Sequence, residues 1–148
     1  MVWASTSGGG KGGFDLLVDD VTRLSRIAKE ENPNAPFILL AHSMGSFAAQ
    51  LYIQDHSREI DALILSGSGA LDGLALLANS VPPGVNILNA AFEPARTPFD
   101  WLRRDCAVVD ALLNDPFCFA QLQRAAFAPF LSAAPRLSDP ASFARYTS

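Results

Sequence analysis

Two short apolar runs separated by one helix length place the tightest limit on what this chain can fold into. The first is Phe37-Ile38-Leu39-Leu40 and the second is Ile60-Asp61-Ala62-Leu63-Ile64-Leu65. Runs of this length without polar alternation are the pattern of strands buried on both faces of a parallel sheet. Ahead of the first run, Asn32-Pro33-Asn34-Ala35-Pro36 stops any helix, because a residue before proline is pushed out of the helical region. Between the runs, a helix from about Ser46 to Asp55 places Phe47, Ala48, Leu51 and Tyr52 on one side. Strand, helix, strand at this spacing is a βαβ unit within a mostly parallel sheet. Upstream, from Phe14 to Glu31, the apolar positions Leu17, Val21, Leu24 and Ile27-Ala28 recur every three or four residues. That is the period of an amphipathic helix, with Asp15, Asp19 and Asp20 near its positive end and Arg26 and Lys29 late.

After Ser66-Gly67-Ser68-Gly69 the character changes. Helical stretches at about 71–79, 105–113 and 119–132 are broken by prolines, no further strand-like run occurs, and Phe92, Phe99, Phe117, Phe119, Phe127, Phe130 and Phe143 crowd in. The organisation expected is a flexible glycine-rich leader at 1–13, a partial α/β core at 14–69 and a helical cap at 70–148. The leader's Lys11 does not make a phosphate loop, since Gly12-Gly13 follows it in place of Ser or Thr and no strand precedes it.

The segment that carries chemistry is Ala41-His42-Ser43-Met44-Gly45, set between an apolar strand and a helix. A serine at the tip of a tight strand-to-helix turn projects its Oγ above the sheet, with its backbone strained toward positive φ. Small residues such as Ala41 and Gly45 let strand and helix approach, and His42 packs beneath the turn. The Met44 amide, in the first turn of the helix, points at an oxyanion formed beside Ser43. The plainer alternative makes Ser43 an ordinary turn serine capping the next helix.

Phe37-Ile38-Leu39-Leu40-Ala41-His42-Ser43-Met44-Gly45-Ser46 resembles the nucleophile-elbow segment of α/β-hydrolases of the monoacylglycerol lipase, lysophospholipase and S33 serine aminopeptidase type. The resemblance continues through Leu63-Ile64-Leu65-Ser66-Gly67. It reaches the cap in Phe92-Glu93-Pro94-Ala95-Arg96-Thr97-Pro98-Phe99-Asp100-Trp101-Leu102-Arg103-Arg104-Asp105, Val109-Asp110 and Asp115-Pro116-Phe117-Cys118. It implies a serine hydrolase acting on small carboxylic esters or lipids, such as monoacylglycerols or lysophospholipids, through an acyl-enzyme on Ser43. Met44 matches one oxyanion-hole amide, and no cofactor is implied. A peptidase or thioesterase on the same elbow is not separable by sequence, because substrate choice lives in the cap. A rival of another class is a non-catalytic interaction or lipid-binding module derived from such a hydrolase.

The triad acid and base are assigned to no residue. In this superfamily the order is Ser, then Asp or Glu, then His, whereas the two histidines here are His42 and His56. His42 precedes the serine and leaves the opposite face of the strand. His56 lies a helix length onward, roughly 15–20 Å away at ~1.5 Å per residue, and is expected solvated at the helix end. The family's acid and base follow two further strands after the cap, so the resemblance implies a truncated chain with impaired turnover. Asp72, Asp100, Asp105, Asp110, Asp115 and Asp139 are read as helix-cap or surface carboxylates. Arg96, Trp101, Arg103 and Arg104 offer a phosphate site, but the arginines are read rather as an ion-pair network with Asp100 and Asp105. Phe92, Phe117, Phe127 and Phe130 either line an acyl tunnel or form the core of the cap.

Composition narrows the partners. Eleven basic against fifteen acidic residues give a net charge of −4, which repels nucleic acid and anionic membranes. No apolar run is long enough to span a bilayer, and the first residues lack the layout of a signal peptide. A cytoplasmic location is expected, with Cys106 and Cys118 as small buried thiols. With two histidines and no CxxC pair, no metal site is expected. Two strands are few for a self-standing sheet, and bare strand edges invite self-association.

Overall fold

The computed structural model describes residues 13–80, 88–116, 118 and 132–143. The leader up to residue 12, all but the last residue of the helix expected at 119–132, and Phe117, Phe119, Phe127 and Phe130 lie outside the described residues. The first helix, α1 (Gly13–Glu31), carries Asp15 in its first turn and Lys29 in its last, the arrangement that the helix dipole favours. Its buried stripe runs through Phe14, Thr22 and Ser25, with Leu17, Val18 and Val21 packed against the core. Leu24 and Ile27, placed on the apolar face by periodicity, are instead 57% and 43% exposed. At about 3.6 residues per turn they sit roughly a quarter and nearly half a turn from the stripe's midline. Small polar residues replace them. Thr22 satisfies its hydroxyl by donating to the Val18 carbonyl at 2.9 Å.

The chain reverses through Asn32–Pro36, with the Ala35 N–H donating to the Asn32 carbonyl. Strand β1 (Ile38–His42) then pairs in parallel with β2 (Ala62–Ser66), in the register Ile38↔Ala62 through His42↔Ser66. The polar intruder in the second run has a purpose. Asp61 accepts the Phe37 N–H on its carboxylate at 2.6 Å and donates its own N–H to the Phe37 carbonyl at 2.8 Å. That double link pins the start of the pairing.

Helix α2 (Met44–His56), followed by a 3₁₀ turn at Ser57–Glu59, connects the strands. It is the most enclosed element described. Ser46, Phe47, Ala48, Ala49, Leu51, Tyr52 and Gln54 are all buried, because α2 packs against α1 and β1 and also meets the short helix α5 (Ala134–Ser138). The Gln54 amide donates to the Arg136 carbonyl at 2.9 Å, which ties α2 to that later segment. Leu71 on α3 (Leu71–Ser80), Ala133 and Ala134 complete a core around Phe14, Phe47, Ala48 and Leu51.

Both strands were expected to be buried on two faces, and the structure corrects this. Ala41 is buried toward the helices, whereas Ile38, Leu40 and Ile64 on the other face are 55%, 65% and 48% exposed. Alternation along a strand sends successive side chains to opposite faces. Among the described residues no layer covers the second face. Among the described residues that follow β2 there are helices and turns and no further strand. Two 3₁₀ turns (Ala90–Phe92 and Asp100–Leu102) lead to α4 (Cys106–Asn114), and α6 (Pro140–Phe143) follows α5.

Buried Asn89 organises that stretch by donating to the Thr97 carbonyl and accepting from the Trp101 N–H. Asp105 caps α4 by accepting the Ala107 N–H, and Asp139 accepts the Ala141 N–H in the same way. Arg96 pairs with Asp110 at 2.6 Å, not with Asp105. Asp100 instead collects the N–H groups of Arg96 and Thr97 together with the Thr97 hydroxyl. The Thr97 hydroxyl, then its amide, hold the Asp100 carboxyl below the usual carboxylate range. Cys106 and Cys118 are exposed, contrary to expectation, and Phe92 is 42% exposed.

Candidate active site

Strand β1 ends at His42 and α2 begins at Met44, so the whole change of direction falls on one residue. Ser43 has φ 51° and ψ −124°, the one non-glycine positive φ among the described residues. Such a backbone costs on the order of 1–3 kcal/mol and persists only where its surroundings over-determine it. Here they do. The Ser43 N–H donates to the Ser66 carbonyl at 2.9 Å, and the Ser43 carbonyl accepts both the Ser46 N–H at 2.9 Å and the Ser46 hydroxyl at 2.6 Å.

Ser43 occupies the N-cap position of α2, yet its side chain makes no capping hydrogen bond and the residue is exposed. The plain capping role is therefore not what this hydroxyl does. Met44, 38% exposed, is the first residue of α2. Its N–H belongs to the turn whose amides have no acceptor within the helix.

The neighbours differ from expectation in instructive ways. Ala41 is buried against the helices, but a Cβ added at Gly45 would meet nothing within 4 Å, so no contact among the described residues forces glycine there. The glycine under constraint is Gly67. Its φ is +56°, and a Cβ there would lie 2.9 Å from His42 Cε1. His42 is exposed on the open face of the sheet, with Nδ1 3.1 Å from the Ser66 hydroxyl, and its ring lies beside Gly67 instead of beneath the turn.

His56 is half-buried rather than solvated. It stacks on Tyr52 with centroids 4.9 Å apart, and its Nδ1 lies 2.7 Å from Glu59 Oε1. It closes the far end of a 13-residue helix, roughly 18 Å along the axis from Met44 at ~1.5 Å per residue. A hollow of about 650 Å³ lined by Thr22, Arg23, Arg26 and His56 shares no residue with the Ser43 turn. Among the described residues no group of His, Cys, Asp or Glu could hold a metal ion, and no helix is long and apolar enough to cross a membrane.

The sequence reading missed Ser68 and Gln50. The Oγ atoms of Ser46 and Ser68 lie 2.8 Å apart, and the Gln50 amide donates to the Ser68 hydroxyl at 3.0 Å and the Gly69 carbonyl at 3.1 Å. The available signal was the Ser-Gly-Ser-Gly run directly after β2. In a parallel sheet the loops that leave the strand C-termini lie side by side, where sites form.

A parallel strand, a one-residue elbow, a buried helix and a second parallel strand, joined to a helical part, fit part of an α/β-hydrolase. Comparison with known proteins agrees. The family model described as "Serine aminopeptidase, S33" matches residues 5–146, and the chain belongs to that family of α/β-hydrolases. It is similar to a monoacylglycerol lipase of Mycolicibacterium smegmatis, with 31% identity over 102 residues, which cover 68% of this chain and 36% of the lipase. In structure it is similar to a highly thermostable carboxyl esterase from Bacillus coagulans solved in complex with glycerol. That likeness has a TM-score of 0.64 at 24% identity and covers 82% of this chain and 46% of the esterase. The chain thus matches about a third of the length of the lipase and less than half of the esterase.

Proposed function

We propose that this chain carries the nucleophile-bearing part of a serine ester hydrolase, with Ser43 as nucleophile and the Met44 N–H as one oxyanion donor. The observation that carries the reading is the Ser43 side chain itself, exposed at the tip of a strained turn and making no capping bond. In the reaction, Ser43 Oγ attacks the ester carbonyl carbon as its proton passes to a base. The Met44 amide faces the oxygen that gains charge, the alcohol leaves, and water then releases the acid. As substrates we propose carboxylic esters with an acyl chain, monoacylglycerols or lysophospholipids; the similarity to a monoacylglycerol lipase supports the first of these. Residues 14–69 serve as the core and 70–148 as the cap that selects the acyl group.

Neither described histidine suits the role of base. His42 is engaged with Ser66 on the open sheet face, and His56 is paired with Glu59 at the far end of α2. Loss of the base in a serine hydrolase lowers turnover on the order of 10⁶-fold, so this chain by itself is expected to be slow. A fluorophosphonate probe tests the nucleophile directly. With no base beside it, Ser43 is expected to label slowly, on prolonged incubation with the probe, and the label is lost in Ser43→Ala; equal labelling of both would refute the assignment.

A second reading rests on the uncovered sheet face. Ile38, Leu40 and Ile64 form an apolar surface of the kind that docks another chain or a lipid. Absence of labelling together with a defined complex on gel filtration would favour that binding module.

A further inference from the structure

We propose that the Ser66-Gly67-Ser68-Gly69 segment is a splint for the Ser43 turn, and that Ser46, Ser68 and Gln50 are positioning residues that aim the Met44 N–H. The catalytic meaning of this rests on the reading of Ser43 as nucleophile; the geometry does not. A trans peptide is planar, so the carbonyl of residue 43 and the N–H of residue 44 lie in one rigid plate and point in opposite directions. Whatever holds the Ser43 carbonyl therefore fixes where the Met44 N–H points. That carbonyl accepts the Ser46 hydroxyl at 2.6 Å, and Ser46 is fully buried.

A serine hydroxyl has one proton and two lone pairs. With the Ser46 proton committed to the carbonyl, the Ser68 hydroxyl 2.8 Å away is the donor of that pair. Ser68 then accepts from the Gln50 amide, whose other contact is the Gly69 carbonyl. The chain of bonds thus runs from the loop after β2, through α2, to the peptide plate between Ser43 and Met44. On the opposite side, the Ser43 N–H is held by the Ser66 carbonyl and the His42 ring by the Ser66 hydroxyl. Two peptide units in a costly conformation are clamped from one four-residue segment. A purely local role for Ser46, as a helix-start hydroxyl, would need neither Ser68 nor Gln50.

The test reads orientation and needs no turnover. In the isotope-labelled full chain, the residual dipolar coupling of the Met44 N–H reports its direction, and a strong intraresidue HN–Hα Overhauser effect at Ser43 reports its positive φ. Ser46→Ala and Ser68→Ala are each expected to change the Met44 coupling and weaken the Ser43 effect. Exchange of the Ser46 N–H should rise at least tenfold, with the couplings from Phe47 onward unchanged. Ser68→Thr, which keeps the hydroxyl, should restore the wild-type pattern.

An unchanged Met44 coupling in Ser68→Ala overturns the proposal. So does a change in Ser46→Ala alone, which would make the bracing internal to α2. Should Ser46→Ala fail to fold, Ser68→Ala on the exposed loop decides. Ser43→Ala serves as the separating control. If wild type and Ser43→Ala label equally while Ser68→Ala still rotates the Met44 plate, the nucleophile reading falls and the splint stands.

Discussion

Gly45 and Gly67 border the same turn, yet only one of them is held to glycine by what surrounds it. At Gly67 a methyl group would meet the His42 ring at 2.9 Å and would have to adopt φ +56°. The left-handed region costs an L-residue about 1–2 kcal/mol. Gly67→Ala is expected to lower stability in urea titration by that amount plus a steric part from the His42 ring, and adding His42→Ala should recover only the steric part. Gly45 lies in the first turn of α2 with open space around it. Gly45→Ala should therefore be neutral or stabilising, by up to ~1 kcal/mol. The pentapeptide around Ser43 drew attention to Gly45 because it is near in sequence. Gly67 escaped notice because its constraint comes from a ring across the sheet. The same holds for Ser68 and Gln50: residue types were visible, but their meeting depends on where β2 delivers its loop.

At the scale of elements, α2 shows how burial is bought by small residues. Ala48 and Ala49 let neighbours close in from several sides, and Tyr52 is fully buried. Burial, the largest influence, pushes the Tyr52 phenol up from its ordinary value near 10. A folded-state value above the unfolded one means that the folded chain holds its proton longer. The associated stability is complete below about pH 10 and is lost as pH rises from there toward the folded value. Thermal unfolding followed from pH 8 to 11 should show this decline, and Tyr52→Phe should flatten it. The kinds and positions of elements were readable, since a strand-length apolar run and a period of three to four residues are local signals. Their faces were less so. Leu24 and Ile27 fit the helical period but sit on the exposed flank of α1, and Cys106 looked like a core residue on composition alone.

For the whole molecule, the feature of most consequence is the sheet face carrying Ile38, Leu40 and Ile64. An apolar two-stranded sheet whose edges have no further strand among the described residues is a template for a further strand or a second copy. Sedimentation velocity should therefore show association that rises with protein concentration. Leu40→Lys, which puts a charge at the most exposed of the three positions, should suppress it without loss of helical signal. A sedimentation coefficient independent of concentration would count against this surface as a self-association site. The expectation of strands buried on both faces came from a rule about complete parallel sheets, and here one layer of that arrangement is not among the described residues.

The amide of Ser43 reaches its acceptor only on Ser66, at the far end of the neighbouring strand. The distinctive shape of residue 43 is for that reason a property of two strands in register and not of the stretch that contains it. A synthetic peptide comprising just 37–56 would hold every residue of the elbow and still lack the partner that keeps it bent. Chemistry written in five adjacent letters becomes available only after a distant segment has come alongside.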